Sequence, residues 1–96
     1  MAAINKSTAE KIIDTIPMNE VQQALINEYR RRIIRYRMVN EGMKKKYGMT
    51  FESFESKNIV KEKGFSWNVE SDSMEWEHAI EGIRYAEKKL KDLHHS

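Results

Sequence analysis

The stretch from Met18 to Tyr47 constrains this chain more than any other. It contains no proline and a single glycine, Gly42. Val21, Leu25, Tyr29, Ile33, Tyr36, Met43 and Tyr47 follow helical steps, with Asn40 in the same stripe, and that periodicity predicts one long helix. At 1.5 Å per residue it would run about 45 Å, hardly less than the length of a compact globule of this size. Such a helix must be one arm of a hairpin or part of an oligomer. Ile26, Ile34 and Met38 form a second, flanking stripe, so the helix is expected to touch more than one neighbour.

The rest of the chain is punctuated around this helix. Before it, Ser7 and Glu10 have capping-box spacing, Ile12, Ile13 and Ile16 give a short helix one apolar side, and Pro17 stops it. After it, Gly48 offers a left-handed exit. Thr50 is placed to cap a short helix over Phe51 to Lys57, with Met49 and Phe54 at hydrophobic-staple positions. Phe65, Trp67 and Val69 then alternate with Ser66, Asn68 and Glu70. Alternation predicts an extended segment with one buried side, read here as a connector with aromatic anchors. A last helix is expected from about Ser71-Asp72-Ser73 to about Leu93, with Trp76, Ile80, Ile83, Leu90 and Leu93 on one face and Ala79 and Ala86 beside them.

The predicted architecture is all-α: a long-helix antiparallel hairpin with short flanking helices and an extended aromatic connector. With 96 residues this is a single domain, 1–96, in which 1–17 is a short N-terminal helix that either packs on the hairpin or swings free on Pro17. Apolar residues make up 40% and charged residues 33%, which excludes a disordered chain and a membrane protein. No apolar run reaches a membrane span, and the first residues lack the apolar stretch of a signal peptide. Cysteine is absent, which excludes disulfides and thiolate chemistry. The expected location is cytoplasmic.

The net charge of +2 hides a segregation. Residues 28–47 carry eight basic and two acidic side chains, whereas 48–96 carry seven basic and ten acidic. The acidic excess collects at Glu70, Asp72, Glu75, Glu77 and Glu81. An antiparallel hairpin brings these regions side by side, so intramolecular pairing is the first explanation of the charges. Nucleic-acid contact through the arginine-rich helix is the alternative. Arg31, Arg32 and Arg35 share one side of that helix, whereas Arg30 and Arg37 lie roughly opposite, so the charge is wrapped around the helix instead of forming a stripe. No helix-turn-helix or zinc-finger spacing accompanies it.

Enzymatic motifs are scarce. Glu75 and His78 form a Glu-x-x-His step, which di-iron bundles use twice per site; a single copy beside Trp76 reads as exposed helix surface. There is no nucleophile elbow, and four scattered glycines make no phosphate loop. His94 and His95 end the chain as a tail. No enzyme activity, cofactor or metal is expected. Tyr47, Phe51, Phe54, Phe65, Trp67, Trp76 and Tyr85 are more informative. About half are expected to form the core, leaving the rest for a partner interface.

The stretch Lys45-Lys46-Tyr47-Gly48-Met49-Thr50-Phe51-Glu52-Ser53-Phe54, followed by a polar linker and Glu70-Ser71-Asp72-Ser73-Met74-Glu75-Trp76-Glu77, resembles small helical antitoxin-like proteins. These are encoded by archaea and bacteria beside short toxin genes. Their pattern is a charged long helix, Tyr-Gly-Met-(Ser/Thr)-x-x-x-Phe, a polar linker, and an acidic step into Glu-Trp and a final helix. The resemblance covers about half the chain and leaves out the Ser7–Pro17 helix. It implies a non-catalytic module that binds and masks a small toxin. It further implies a partner-binding set of Tyr47, Phe54, Phe65, Trp67 and Trp76. In that set Tyr47, Phe54 and Trp76 anchor the module, and Phe65 and Trp67 reach the partner with the basic helix. A homodimer through the long helix is the other association expected.

Overall fold

The computed structural model describes residues 15–95, which are helical with no strand among them. Helix α1 spans Met18–Tyr47, α2 Phe51–Ser56, α3 Ile59–Glu62 and α4 Trp67–His94. The expected all-α hairpin is what the chain forms: α1 and α4 run antiparallel, and the two short helices close one end. The expected helix over 7–16 falls outside the described residues except at its last positions, Thr15 and Ile16.

Local chemistry sets each boundary. Pro17 precedes α1 in extended geometry, and its carbonyl accepts from the Glu20 amide at 3.0 Å. Gly48 ends α1 at φ 67°, a conformation costly for any residue with a Cβ, and donates its N–H to the Lys44 carbonyl at 2.8 Å. Lys44, Lys45 and Lys46 sit in that last turn, where the dipole favours cations. Thr50 caps α2 as its spacing predicts, accepting from the Ser53 amide at 3.2 Å.

The core lies at the closed end. Met43, Phe54, Ile59 and Trp76 are buried together, with Val39, Tyr47, Met49, Phe51, Val60, Val69 and Ile80 packed around them. Trp76 is fully enclosed. Its ring centroid lies 5.9 Å from Tyr47, 5.3 Å from Phe51 and 5.1 Å from Phe54, spacings at which aromatic quadrupoles attract. Burial would strand the indole N–H, but Nε1 donates to Asn40 Oδ1 at 2.8 Å. Asn40 sits in the apolar stripe for that reason. It ties α1 to α4 at one register.

Towards the open end the two long helices meet through small residues. Ala79 and Ala86 are buried, and Gly82 faces the Tyr36 ring so closely that a Cβ there would lie 2.4 Å from Cε2. Tyr36 also meets His78 edge-on at 5.5 Å, and Tyr29 meets Tyr85 at 6.2 Å. Ile26 and Ile33, seven residues apart, fill the seam. Near the end, Gln22 Nε2 donates to the Leu93 carbonyl at 2.6 Å.

Two expectations are corrected. The connector carrying Phe65 and Trp67 is not extended, and α4 does not begin at Ser71–Ser73. It begins at Trp67, capped by Ser66, whose hydroxyl accepts from the Val69 amide at 3.4 Å. Phe65, Trp67 and Val69 do alternate, but across a helix start: Val69 turns inward to the core and Trp67 outward. The earlier start also frees Asp72 from capping, and it becomes an acceptor for Tyr47. Of the flanking stripe, Ile26 is buried, Ile34 borders a shallow cleft with Glu87 and Leu90 of α4 but stays largely exposed, and Met38 is exposed.

Candidate functional site

The five aromatic candidates divide by burial. Phe54 and Trp76 lie inside the core, where the chain's own side chains cover them. They present no surface to a partner and act as anchors. Tyr47 is half-buried over the same cluster, 4.9 Å from Phe54. Phe65 and Trp67 are 57% and 72% exposed, and Met74, one further face position along α4, is 59% exposed.

Phe65 is placed at a cost. The turn between α3 and α4 has two consecutive left-handed residues, Gly64 at φ 71° and Phe65 at φ 55°. Glycine tolerates this, but an aromatic residue does not, at about 1–2 kcal/mol. The Phe65 amide is fixed there by a 2.9 Å hydrogen bond to the Val60 carbonyl. Beside it a shallow cleft of about 350 Å³ runs between Val60, Trp67, Glu70, Ser73 and Met74. Another, of about 270 Å³, runs between Phe54, Ile59, Val60 and Phe65. The first is mainly apolar, whereas Glu55, Asn58, Lys61 and Ser73 also line the second; together they form an aromatic-rimmed surface of mixed polarity on a helical tip.

A polar cluster stiffens the tip behind it. Tyr47 Oη donates to Asp72 Oδ2 at 2.6 Å, and Lys46 Nζ reaches the same oxygen. Burial and this hydrogen bond to the carboxylate push the Tyr47 hydroxyl up to about 12. Burial alone would raise Asp72, but the hydrogen bonds from Lys46 and Tyr47 outweigh it and hold the carboxyl below its usual value. The cluster joins the last turn of α1 to the second turn of α4.

The arginines are committed differently than the charge segregation predicts. Arg31 and Arg32 bond to opposite oxygens of Glu28, each at 2.9 Å, and Arg35 approaches it at 3.9 Å. These hydrogen bonds, Arg32's first, hold the Glu28 carboxyl below its ordinary value and raise Arg32. Pairing between the long helices, among the described residues, is confined to Arg37–Glu87 at 3.7 Å and Lys46–Asp72. Glu70, Glu75, Glu77 and Glu81 have no ion pair among these residues. The basic and acidic regions therefore neutralise one another only in part.

Glu75 and His78 point outward on α4, with the His78 ring against Tyr36. Among the described residues no group of three or more His, Cys, Asp or Glu is placed to hold a metal ion, and no helix is long and apolar enough to cross a membrane.

Sequence reasoning missed Met74. The signal was present: it lies seven residues after Trp67, two turns of one helix, and becomes visible once the helix starts at Ser66. Compared with protein families, with curated proteins and with solved structures, the chain matches none.

Proposed function

We propose that this protein is a non-catalytic protein-binding module, antitoxin-like in role, which masks a small toxin through the surface formed by Phe65, Trp67 and Met74. The observation that carries the reading is Phe65. A large apolar side chain is held exposed, in a backbone conformation that disfavours it, beside a second exposed aromatic. Folding recovers part of that cost, because the Gly64 and Phe65 amides cap α3 and Phe65 borders Val60 and Phe54, but the exposed part of the ring is left for a partner pocket. α2 and α3 back this surface with the core of Met43, Phe54, Ile59 and Trp76, and a surface held in place before binding lowers the ordering cost of association.

The test is co-expression with the product of the neighbouring gene in a host whose growth that product arrests. The intact chain restores growth. The double variant Phe65→Ala, Trp67→Ala keeps its helical circular dichroism and does not. Failure of the intact chain to neutralise the neighbouring product would remove the toxin-masking role.

Nucleic-acid contact through Arg31, Arg32 and Arg35 has weaker support. The three guanidinium groups already share the Glu28 carboxylate, which must be displaced or outbid by phosphate. Binding to an immobilised oligonucleotide that falls steeply with salt would shift the weight to it.

A further inference from the structure

The chain bends at Thr15 and Ile16, immediately before α1, and fourteen residues precede that bend. Among them Ser7 and Glu10 have capping-box spacing, and Ala9, Ile12 and Ile13 fall on one side of a helix. With the bend at 15–16, such a helix has room for residues 7–14, about 12 Å. A helix so short is not stable alone in water. It forms only against a surface that covers its apolar side.

That surface lies within its reach. Met18, Gln22, Leu25 and Tyr29 advance by four, three and four residues and share one side of α1. Facing them on α4 are Tyr85, whose ring centroid lies 6.2 Å from that of Tyr29, and Leu93, whose carbonyl accepts from Gln22 at 2.6 Å. A mainly apolar cleft of about 380 Å³ runs here, lined by Leu25, Tyr29, Lys89, Asp92 and Leu93. Leu25 stays 43% exposed in it. Leu25 is seven residues into α1, about 10 Å from its start. A helix that reverses on a connection as short as Thr15-Ile16-Pro17 runs antiparallel beside its neighbour, and so passes over Gln22 and Leu25. The other cleft between the long helices, at Ile33, Ile34 and Leu90, begins fifteen residues into α1. That is about 22 Å away, beyond the end of such a helix.

We propose that residues 7–14 fold back as a short helix along the open end of the hairpin and seat Ala9, Ile12 and Ile13 against Leu25 and Leu93. Lys89 and Asp92 on the rim are of opposite sign, so reach and apolar burial set the fit, and net charge does not. The segment gives the open end a third helix, as α2 and α3 add a layer at the closed end. The contact opens and closes without unfolding the hairpin, so it adds little to global stability. The proposal is independent of the toxin-masking reading, which concerns the opposite end.

Amide hydrogen exchange of the full chain tests it. Residues 11–14 should exchange at least about tenfold more slowly than an unstructured chain of the same sequence, and dilution should leave that factor unchanged. Leu25→Asp, outside the segment and at a partly exposed position, should return residues 11–14 to unstructured rates. Amides around Trp76 then stay protected, which shows that the hairpin is folded. A disulfide adds a geometric readout, because the chain has no cysteine of its own. Ala9→Cys should oxidise with Leu25→Cys at least about tenfold faster than with Asn27→Cys, which stands at nearly the same height on the opposite side of α1. Unstructured rates in the intact chain, protection that survives Leu25→Asp, protection lost on dilution because a second copy fills the cleft, or equal oxidation at the two positions would each overturn the proposal.

Discussion

The two ends of the hairpin are built on different principles. At the closed end four elements converge, and Trp76, Phe54, Met43 and Ile59 form a core sealed on every side. Its buried polar groups are matched, through Asn40 to Trp76 and Asp72 to Tyr47. At the open end only α1 and α4 meet, in a single layer. There the seam is Ile26, Ile33, Ala79 and Ala86, flanked by half-covered tyrosines, while Leu25 and Met18 remain exposed. Two helices alone cannot surround a large side chain, so small residues and close approach replace bulk. The comparison teaches that stability is concentrated at the end that also carries Phe65, Trp67 and Met74.

The largest test of that contrast compares one truncation at each end. Trp76→Ala should cost about 3–5 kcal/mol and unfold the chain or leave it marginal. Leu25→Ala, at a partly exposed site, should cost about 1 kcal/mol or less. Urea unfolding followed by circular dichroism reads both, and similar losses at the two sites would break the contrast.

Gly82 sharpens the account of the open end. A valine there drives into the Tyr36 ring, for an expected loss of about 1–3 kcal/mol. Alanine meets the same ring but recovers about 1 kcal/mol of helix propensity, so its loss should be smaller. If thermal unfolding shows Gly82→Val to be neutral, close helix approach is not what holds this end.

The pH dependence belongs to the closed end. The Asp72 carboxyl is held low in the folded chain, so its contribution is present above the ordinary carboxylate value and is lost as pH falls through the lowered one. Tyr47 is pushed the other way, to about 12. Its contribution is complete below the ordinary tyrosine value of about 10 and is lost as pH rises towards 12. Melting temperature against pH should therefore fall at both extremes. Asp72→Asn should flatten the acid limb, and Tyr47→Phe the alkaline one.

Phe65 gives the smallest expected effect and the most direct link to function. Phe65→Gly relieves the left-handed strain and should stabilise the chain by about 0.5–1 kcal/mol, part of the relief being offset by backbone entropy. The same change should weaken partner masking. A variant more stable but less active in the growth assay would show strain retained for binding; one less stable would place Phe65 among the packing residues.

Most of the helical frame was legible in the sequence, because it rests on short-range rules. The Met18–Tyr47 helix, the Gly48 exit and the Thr50 cap follow from periodicity, a missing Cβ and a hydroxyl three residues before an amide. The start of α4 was not, because Ser66, Ser71, Asp72 and Ser73 are all competent caps and local chemistry does not rank them. Tertiary structure chose Ser66: starting there turns Val69 into the core and brings Asp72 to Tyr47. The candidate site shows the same division. That aromatic residues would split between core and surface follows from their number in a small chain. Which ones split which way depends on the direction each helix face takes after folding. Phe54 and Trp76 went inside and Phe65 and Trp67 outside because packing, which acts between distant segments, decides what a side chain meets.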